Sequence, residues 1–230
     1  MAWVSFAIIN GNPLSTNELI AQCVIFFLAG FETTASTLAF VSFYLALNPD
    51  VQDKLVAEID ETVKAGNSEL TYEAIQNMKY LDNVISETLR INPPSARLER
   101  VASEDYKLGD TGIVIPKHTI VTIPIYAIHR DPKYFPDPEK FDPDRFTPEE
   151  RVKRSPYVFM PFGAGPRNCV GMRFALVEVK VCLAYVLSNF KIKKSPQTKV
   201  PLEYLIGNGL LQPKDVTLQF ELRDSCLLKN

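Results

Sequence analysis

The 230-residue sequence predicts a mainly α domain with small β-sheets, and three observations predict it. A capping box at Ser15 opens a proline-free stretch that continues to about Leu47. Further helical patterns run before residue 92 and after residue 171. The β-branched runs are short and confined to the middle and the end of the chain. A hydrophobic share of 46% and a charged share of 23% are those of an ordinary globular domain able to bury a core.

The first element is the longest. Ser15 can cap the Glu18 amide while Glu18 reaches back, and roughly 32 residues at about 1.5 Å each give a helix of about 48 Å, enough to cross a domain. It is apolar nearly all round over 19–29, which predicts a buried helix, with a membrane span as the alternative. The apolar start, MAWVSFAII, is too short to span a bilayer and carries no basic flank or cleavage site. Asn48-Pro49-Asp50 is expected to end the long helix and cap a second, running to about Lys64, with Ala65-Gly66-Asn67-Ser68 as a linker. The next pattern runs from about Tyr72 to Ile91 with a break near Met78, and Pro93-Pro94 stops it.

From Tyr106 to Thr122 the character is extended: Ile113-Val114-Ile115 and Thr119-Ile120-Val121-Thr122, split by Pro116-Lys117-His118, read as a strand pair. Residues 130–168 are proline-rich and poor in periodicity, and a long ordered loop of that kind usually has a role. A helix from about Met172 to Asn189 and two closing strands, 190–193 and 216–222, complete the chain.

A net charge of -2 with interspersed signs leaves no basic stripe for a phosphate backbone, so no nucleic acid is expected. Cys23, Cys169, Cys182 and Cys226 are scattered, without a C-x-x-C pair, which argues against a disulfide scaffold or structural zinc and for a reducing, cytosol-facing setting. His129-Arg130-Asp131 lacks the surroundings of a kinase loop, and His129 reads as structural. Gly163-x-Gly165 lacks the third glycine of a dinucleotide fingerprint. Lys191, Lys193, Lys194 and Lys199 read as a solvated face.

The chemistry lies in FGAGPRNCVG, 162–171, which fits Phe-x-x-Gly-x-Arg-x-Cys-x-Gly. Five fixed positions at set spacing arise by chance with odds on the order of one in ten thousand. Gly163, Gly165 and Gly171 let the backbone turn tightly and approach a flat ligand, presenting Cys169 at the mouth of the following helix, whose N-terminus favours a thiolate. Arg167 can pair with an anionic group beside it.

This segment resembles the cysteine loop of the cytochrome P-450 family at every fixed position. The resemblance implies haem b (iron protoporphyrin IX) ligated by Cys169, with Phe162, Gly163, Gly165 and Gly171 bordering the cofactor and Arg167 and Arg100 meeting its propionates; Arg97 competes with Arg100 for that role. It implies a buried pair, Glu87 with Arg90 in ETLR, completed by Arg145 from FDPDRF. AGFETT, 29–34, matches the oxygen-binding stretch of the family's long helix. There Gly30 is expected to loosen the helix and Thr33 to bond the carbonyl of Ala29, opening a bulge or groove, while Glu32 and Thr33 relay protons. Ser95 and Ala96, with Leu210 and Leu211 of GLLQP, are placed in a substrate pocket.

By resemblance, then, the chain is a haem-thiolate monooxygenase that inserts one atom of O2 into a lipophilic substrate, with electrons from NADPH through a flavoprotein reductase. It is expected at the cytosolic face of the endoplasmic reticulum membrane. RLER, HRDPKYF and GPRNCVGMRFA are closest to the animal xenobiotic- and steroid-oxidising and thromboxane-synthase-like branch. Residues 14–230 correspond to the C-terminal, haem-binding half, residues 1–13 match nothing, and the chain is expected to be a fragment without the family's membrane anchor. The competing expectations are a non-catalytic product unable to retain haem and a haem-thiolate peroxide isomerase.

Overall fold

The computed structural model describes residues 8–9, 12–67, 69–205, 207 and 209–224, so the apolar start up to residue 7, Ser68 and Cys226 lie outside the described residues. A short antiparallel ribbon, β1 (Ile8–Ile9) with β2 (Asn12–Pro13), precedes the long helix α1 (Thr16–Leu47). The capping box forms as its sequence dictates: the Ser15 hydroxyl accepts from the Glu18 amide at 3.4 Å, and Glu18 accepts from the Ser15 amide at 2.8 Å. Helices α2 (Pro49–Ala65), α3 (Tyr72–Gln76) and α4 (Lys79–Ile91) follow. The expected break falls at Asn77 and Met78.

Asn48 does not cap α2. Its side chain donates back to the Tyr44 carbonyl at 2.8 Å, and α2 starts on Pro49, whose ring sets the first helical φ and has no amide to satisfy.

The central β-branched runs are strands, but not partners of each other. β3 (Leu98–Val101) pairs antiparallel with β6 (Ile120–Ile123), and β4 (Tyr106–Lys107) with β5 (Val114–Ile115). The turn over 108–113, with Gly109 and Gly112 at φ 48° and 75°, folds β5 back onto β4. His118, at φ 67°, then redirects the chain so that β6 meets the earlier strand.

A short helix, α5 (Ile125–Ile128), leads into the proline-rich segment, which carries the short helix α6 (Pro148–Arg151) and single 3-10 turns. Helix α7 (Met172–Asn189) has its expected bounds and leads into the antiparallel pair β7 (Phe190–Lys194) and β8 (Leu218–Leu222). Lys191 and Lys193 pair there with Asp53 and Glu221, as a solvated face does.

The core gathers the C-terminal half of α1 with α2, α4, α7 and Ile192 of β7 around fully buried Leu45, Leu55, Leu81 and Leu183. Gln52 of α2 fastens β7 to it: the amide donates to the carbonyls of Leu45 and Ile192 and accepts from the Ile192 amide at 2.7 Å. Lys180, buried on α7, reaches Asp82 of α4 at 2.8 Å.

The N-terminal half of α1 corrects the expectation of burial: every residue of 15–29 is exposed, Phe27 by 70%. Burial needs neighbours, and α1 buries side chains only from Thr34 onward, where α4, α7 and β7 pack on it. Among the described residues α1 is the one helix long and apolar enough to cross a membrane, by length and composition.

One ionic knot ties the proline-rich segment to the helices. Arg90 donates to both Glu87 carboxylate oxygens, at 2.7 and 2.9 Å, with both side chains fully buried. Its remaining N–H groups go to the carbonyls of His129 at 2.9 Å and Pro138 at 2.7 Å. The Asp142 amide donates to Glu87 at 2.9 Å. Arg145 sits with Nε 3.5 Å from the same carboxylate, an ion pair without a hydrogen bond, and donates to the Asp137 carbonyl. Burial pushes the Glu87 carboxyl up, and Arg90, the Asp142 amide and Arg145 pull it back. Beneath lies a small aromatic core of Phe135, Phe146 and Phe159, with Arg90 over the Phe135 ring at 5.3 Å.

Two outcomes are expected. Arg90→Met strands the Glu87 charge in the interior and should lower the unfolding free energy by about 3–5 kcal/mol in denaturant melts, whereas a loss below about 1 kcal/mol would contradict the knot. Burial, with Arg90 and Arg130 nearby, holds the His129 imidazole down to about 4. A folded value below the unfolded value of about 6.5 means this stabilisation is complete above about 6.5 and is lost as the pH falls toward 4. Wild type should therefore lose stability relative to His129→Gln through that window; parallel curves would refute it.

Candidate active site

The loop 162–171 connects the proline-rich segment to α7. Gly163 and Gly165 adopt φ 75° and 77°, which a side chain would strain. Gly171, the N-cap of α7, has an ordinary φ of -86°, so the tight turn does not need glycine there. What Gly171 does share with Gly165 is open space, since an added Cβ would meet no atom within 4 Å at either position. An added Cβ on Gly163 would touch Leu98 of β3 at 3.6 Å.

Cys169 is an exposed free thiol. Its amide donates to the Phe162 carbonyl at 2.8 Å, and its carbonyl accepts from Met172, the first residue of α7, at 3.4 Å. The loop is thus closed on itself behind the sulfur, at the positive end of an 18-residue helix.

Arg100 comes to the loop from β3, its Nη2 3.5 Å from the backbone carbonyl of Arg167, two residues before Cys169, and both arginines are exposed. Arg97, by contrast, is paired with Glu99 at 2.9 Å. Val170 and Phe174 are exposed by 85% and 72%, which gives the same region an apolar floor.

Thr33 bonds the Ala29 carbonyl at 2.7 Å as expected, but the helix stays regular across Gly30 and no bulge opens. Serine and threonine hydroxyls reach back one turn without breaking the helical ladder, and Thr37 does the same to Thr33 at 2.8 Å. Burial deepens along the sequence: Glu32 is exposed, Thr33 half-buried, Thr34 buried. A cavity of about 30 Å³ joins Thr33, Thr34 and Thr37 to Phe162 of the cysteine loop and Ala175 of α7. Thr34 Oγ1, on its wall, has no hydrogen-bond partner.

The four residues expected in a substrate pocket also converge. Ser95 and Leu210 form a β-bridge, the Leu211 amide donates to the Pro94 carbonyl at 2.8 Å, and the Ala96 carbonyl accepts from Tyr126. Gln212, next in the chain, donates to Glu32 at 3.3 Å.

These residues fit a haem. A soft sulfur donor is exposed, two exposed arginines in or beside its loop carry groups suited to carboxylates, and the apolar Val170 and Phe174 are left bare near it. Sequence reasoning assigned nothing to Leu98 within RLER or to Thr34 within AGFETT; the nearness of the first to Gly163 and the unpartnered hydroxyl of the second are visible only in the three-dimensional setting.

The sequence model of cytochrome P450 matches residues 6–220. Curated relatives include cytochrome P450 3A13 of Mus musculus, 48% identical over 89% of this chain and 40% of its own length. Cytochrome P450 3A7 of Homo sapiens is 47% identical over 92% of this chain and 41% of its own length. A probable cytochrome P450 6a13 of Drosophila melanogaster is 44% identical over 89% and 41%. The chain therefore spans about two fifths of the length of the relatives it matches. The cysteine loop, the buried Glu87–Arg90 pair and this similarity along most of its length agree, and the chain belongs to the cytochrome P450 family.

Proposed function

We propose that residues 14–230 form the haem-binding catalytic half of a monooxygenase that inserts one atom of O2 into a lipophilic substrate. The observation that carries this reading is the exposed Cys169 thiol on a self-closed glycine loop, with Arg100 and Arg167 beside it and unfilled space before Gly165 and Gly171. Haem b, held by the Cys169 thiolate, would supply the activation of oxygen, with electrons from NADPH through a flavoprotein reductase. The similarity to the animal relatives supports the cytosolic face of the endoplasmic reticulum membrane as the proposed site of action.

The chain's own residues have separable tasks. Cys169 donates charge from the positive end of α7. Arg100 and Arg167 meet the propionates; Phe162, with Gly163, Gly165 and Gly171, leaves the approach flat. Glu32, open to solvent, collects protons, and Thr33, one residue further in and lining the inner cavity, holds the next one at Oγ1. Ala29 supplies the carbonyl that keeps this hydroxyl oriented. Ser95, Ala96, Leu210 and Leu211 form one wall for an apolar substrate.

The deciding measurement is the spectrum of the haem-reconstituted, reduced chain under carbon monoxide. A red-shifted Soret band, lost in Cys169→Ser, is expected, and its absence from wild type would favour a product that does not retain haem. Where the band is present, Thr33→Ala should lower product formation with reductase and NADPH by about a hundredfold or more, the usual contribution of a positioned proton donor. Turnover from an organic peroxide alone, indifferent to Thr33→Ala, would point instead to the isomerase chemistry.

A further inference from the structure

His129 is fully buried at the end of α5, between the ionic knot and the segment that leads into the cysteine loop. Its backbone is held on both sides: the amide donates to the Ile125 carbonyl at 2.9 Å, and the carbonyl accepts from Arg90 Nη1 at 2.9 Å. Its ring touches Phe159 with centroids 5.2 Å apart. Both ring nitrogens are engaged, Nδ1 with the Arg90 carbonyl at 3.2 Å and Nε2 with the Met160 amide at 2.9 Å.

We propose that His129 is a positioning residue of the cysteine loop: its neutral ring, protonated on Nδ1, spaces the Arg90 carbonyl from the Met160 amide and so sets where the loop departs from the knot. The proposal deepens the haem-thiolate reading and rests on it for its functional meaning.

The partners dictate the tautomer. A backbone amide only donates, so Nε2 facing Met160 must be bare, and a carbonyl only accepts, so Nδ1 facing Arg90 must carry the proton. An imidazolium would set two N–H groups against each other at Met160, beside the Arg90 cation. From the ring the path to the ligand is short. The Met160 carbonyl accepts from the Gly163 amide at 3.0 Å, and the Phe162 carbonyl accepts from the Cys169 amide at 2.8 Å. Three successive hydrogen bonds thus separate the imidazole from the backbone of Cys169. Arg90 and His129 also clasp each other reciprocally, side chain to carbonyl in both directions, so the knot and the spacer move as one body.

The side-chain amides of Gln and Asn reach the places of Nε2 and Nδ1 respectively, which separates the two contacts. His129→Gln can still accept from Met160, His129→Asn keeps only the Arg90 side, and His129→Phe keeps only the ring packing.

The test uses the full chain, which has just two histidines and so gives an unambiguous ring assignment. Nitrogen-15 NMR of the wild type should show the proton on Nδ1 and no titration between pH of about 6 and about 8, across the ordinary histidine range. Amide exchange at Met160, Gly163 and Cys169 should quicken by about tenfold or more in the Asn and Phe variants and stay near wild type in Gln, the ratio expected of one buried hydrogen bond. With haem added, the thiolate band should weaken in the same two variants and persist in Gln. A proton on Nε2, or equal exchange in Gln and Asn, would overturn the spacer. The wild-type tautomer decides even if every variant fails to fold. Absence of the band from wild type would count against the haem reading alone, since tautomer and exchange are measured without the cofactor.

Discussion

A carboxylate and a guanidinium sealed from water impose the most demanding constraint on this fold. Glu87 and Arg90 lie one helical turn apart on α4, both completely buried, and beyond the two hydrogen bonds between them, those that compensate their lost hydration come from elsewhere in the chain. The pair cannot be neutral to its surroundings: missing any of the Pro138 or His129 carbonyls or the Asp142 amide, the interior would hold an under-solvated charge. A segment dense in proline, with little helix or strand of its own, thereby acquires one conformation. The cysteine loop lies at the end of that segment, so its order descends from the pair.

What the sequence revealed follows from what is local. The capping box at Ser15, the helix from Met172 to Asn189 and the Glu87–Arg90 spacing each lie within a few residues of chain, and all appear as read. The fixed spacing of the cysteine loop singled out Cys169 and Arg167 as candidates because the loop is itself a local object. Partners distant in sequence were another matter. The two β-branched runs around Pro116 were legible as strands, yet their pairing depends on where the left-handed His118 sends the chain. That the Arg100 side chain reaches the Arg167 backbone while that of Arg97 turns to the Glu99 carboxylate depends on β3 and on no local pattern.

His129 shows the same limit from another side. Its sequence neighbours suggested a structural residue, and it is one, but the structure adds which atoms it joins. Likewise Gln52 and Lys180 look like surface polar residues in a helical pattern. Their burial becomes intelligible only through the β7 backbone and Asp82, groups that no period of 3.6 residues anticipates. Gly171 errs in the opposite direction: its conformation is ordinary, and only the empty space in front of it gives the small residue a use.

The exposed half of α1 has a consequence for Thr33. Along one unbroken helix, residues 15–29 are exposed and those from Thr34 onward are clamped by α4, α7 and β7. Local opening is cheapest where burial is least, so the helix frays from Thr16 inward and the fraying boundary falls at the residue whose hydroxyl holds Ala29. A surface laid over the bare turns, touching no reactive atom, would also stiffen that hydroxyl, which makes the order of a distant apolar face a control on how Thr33 is held.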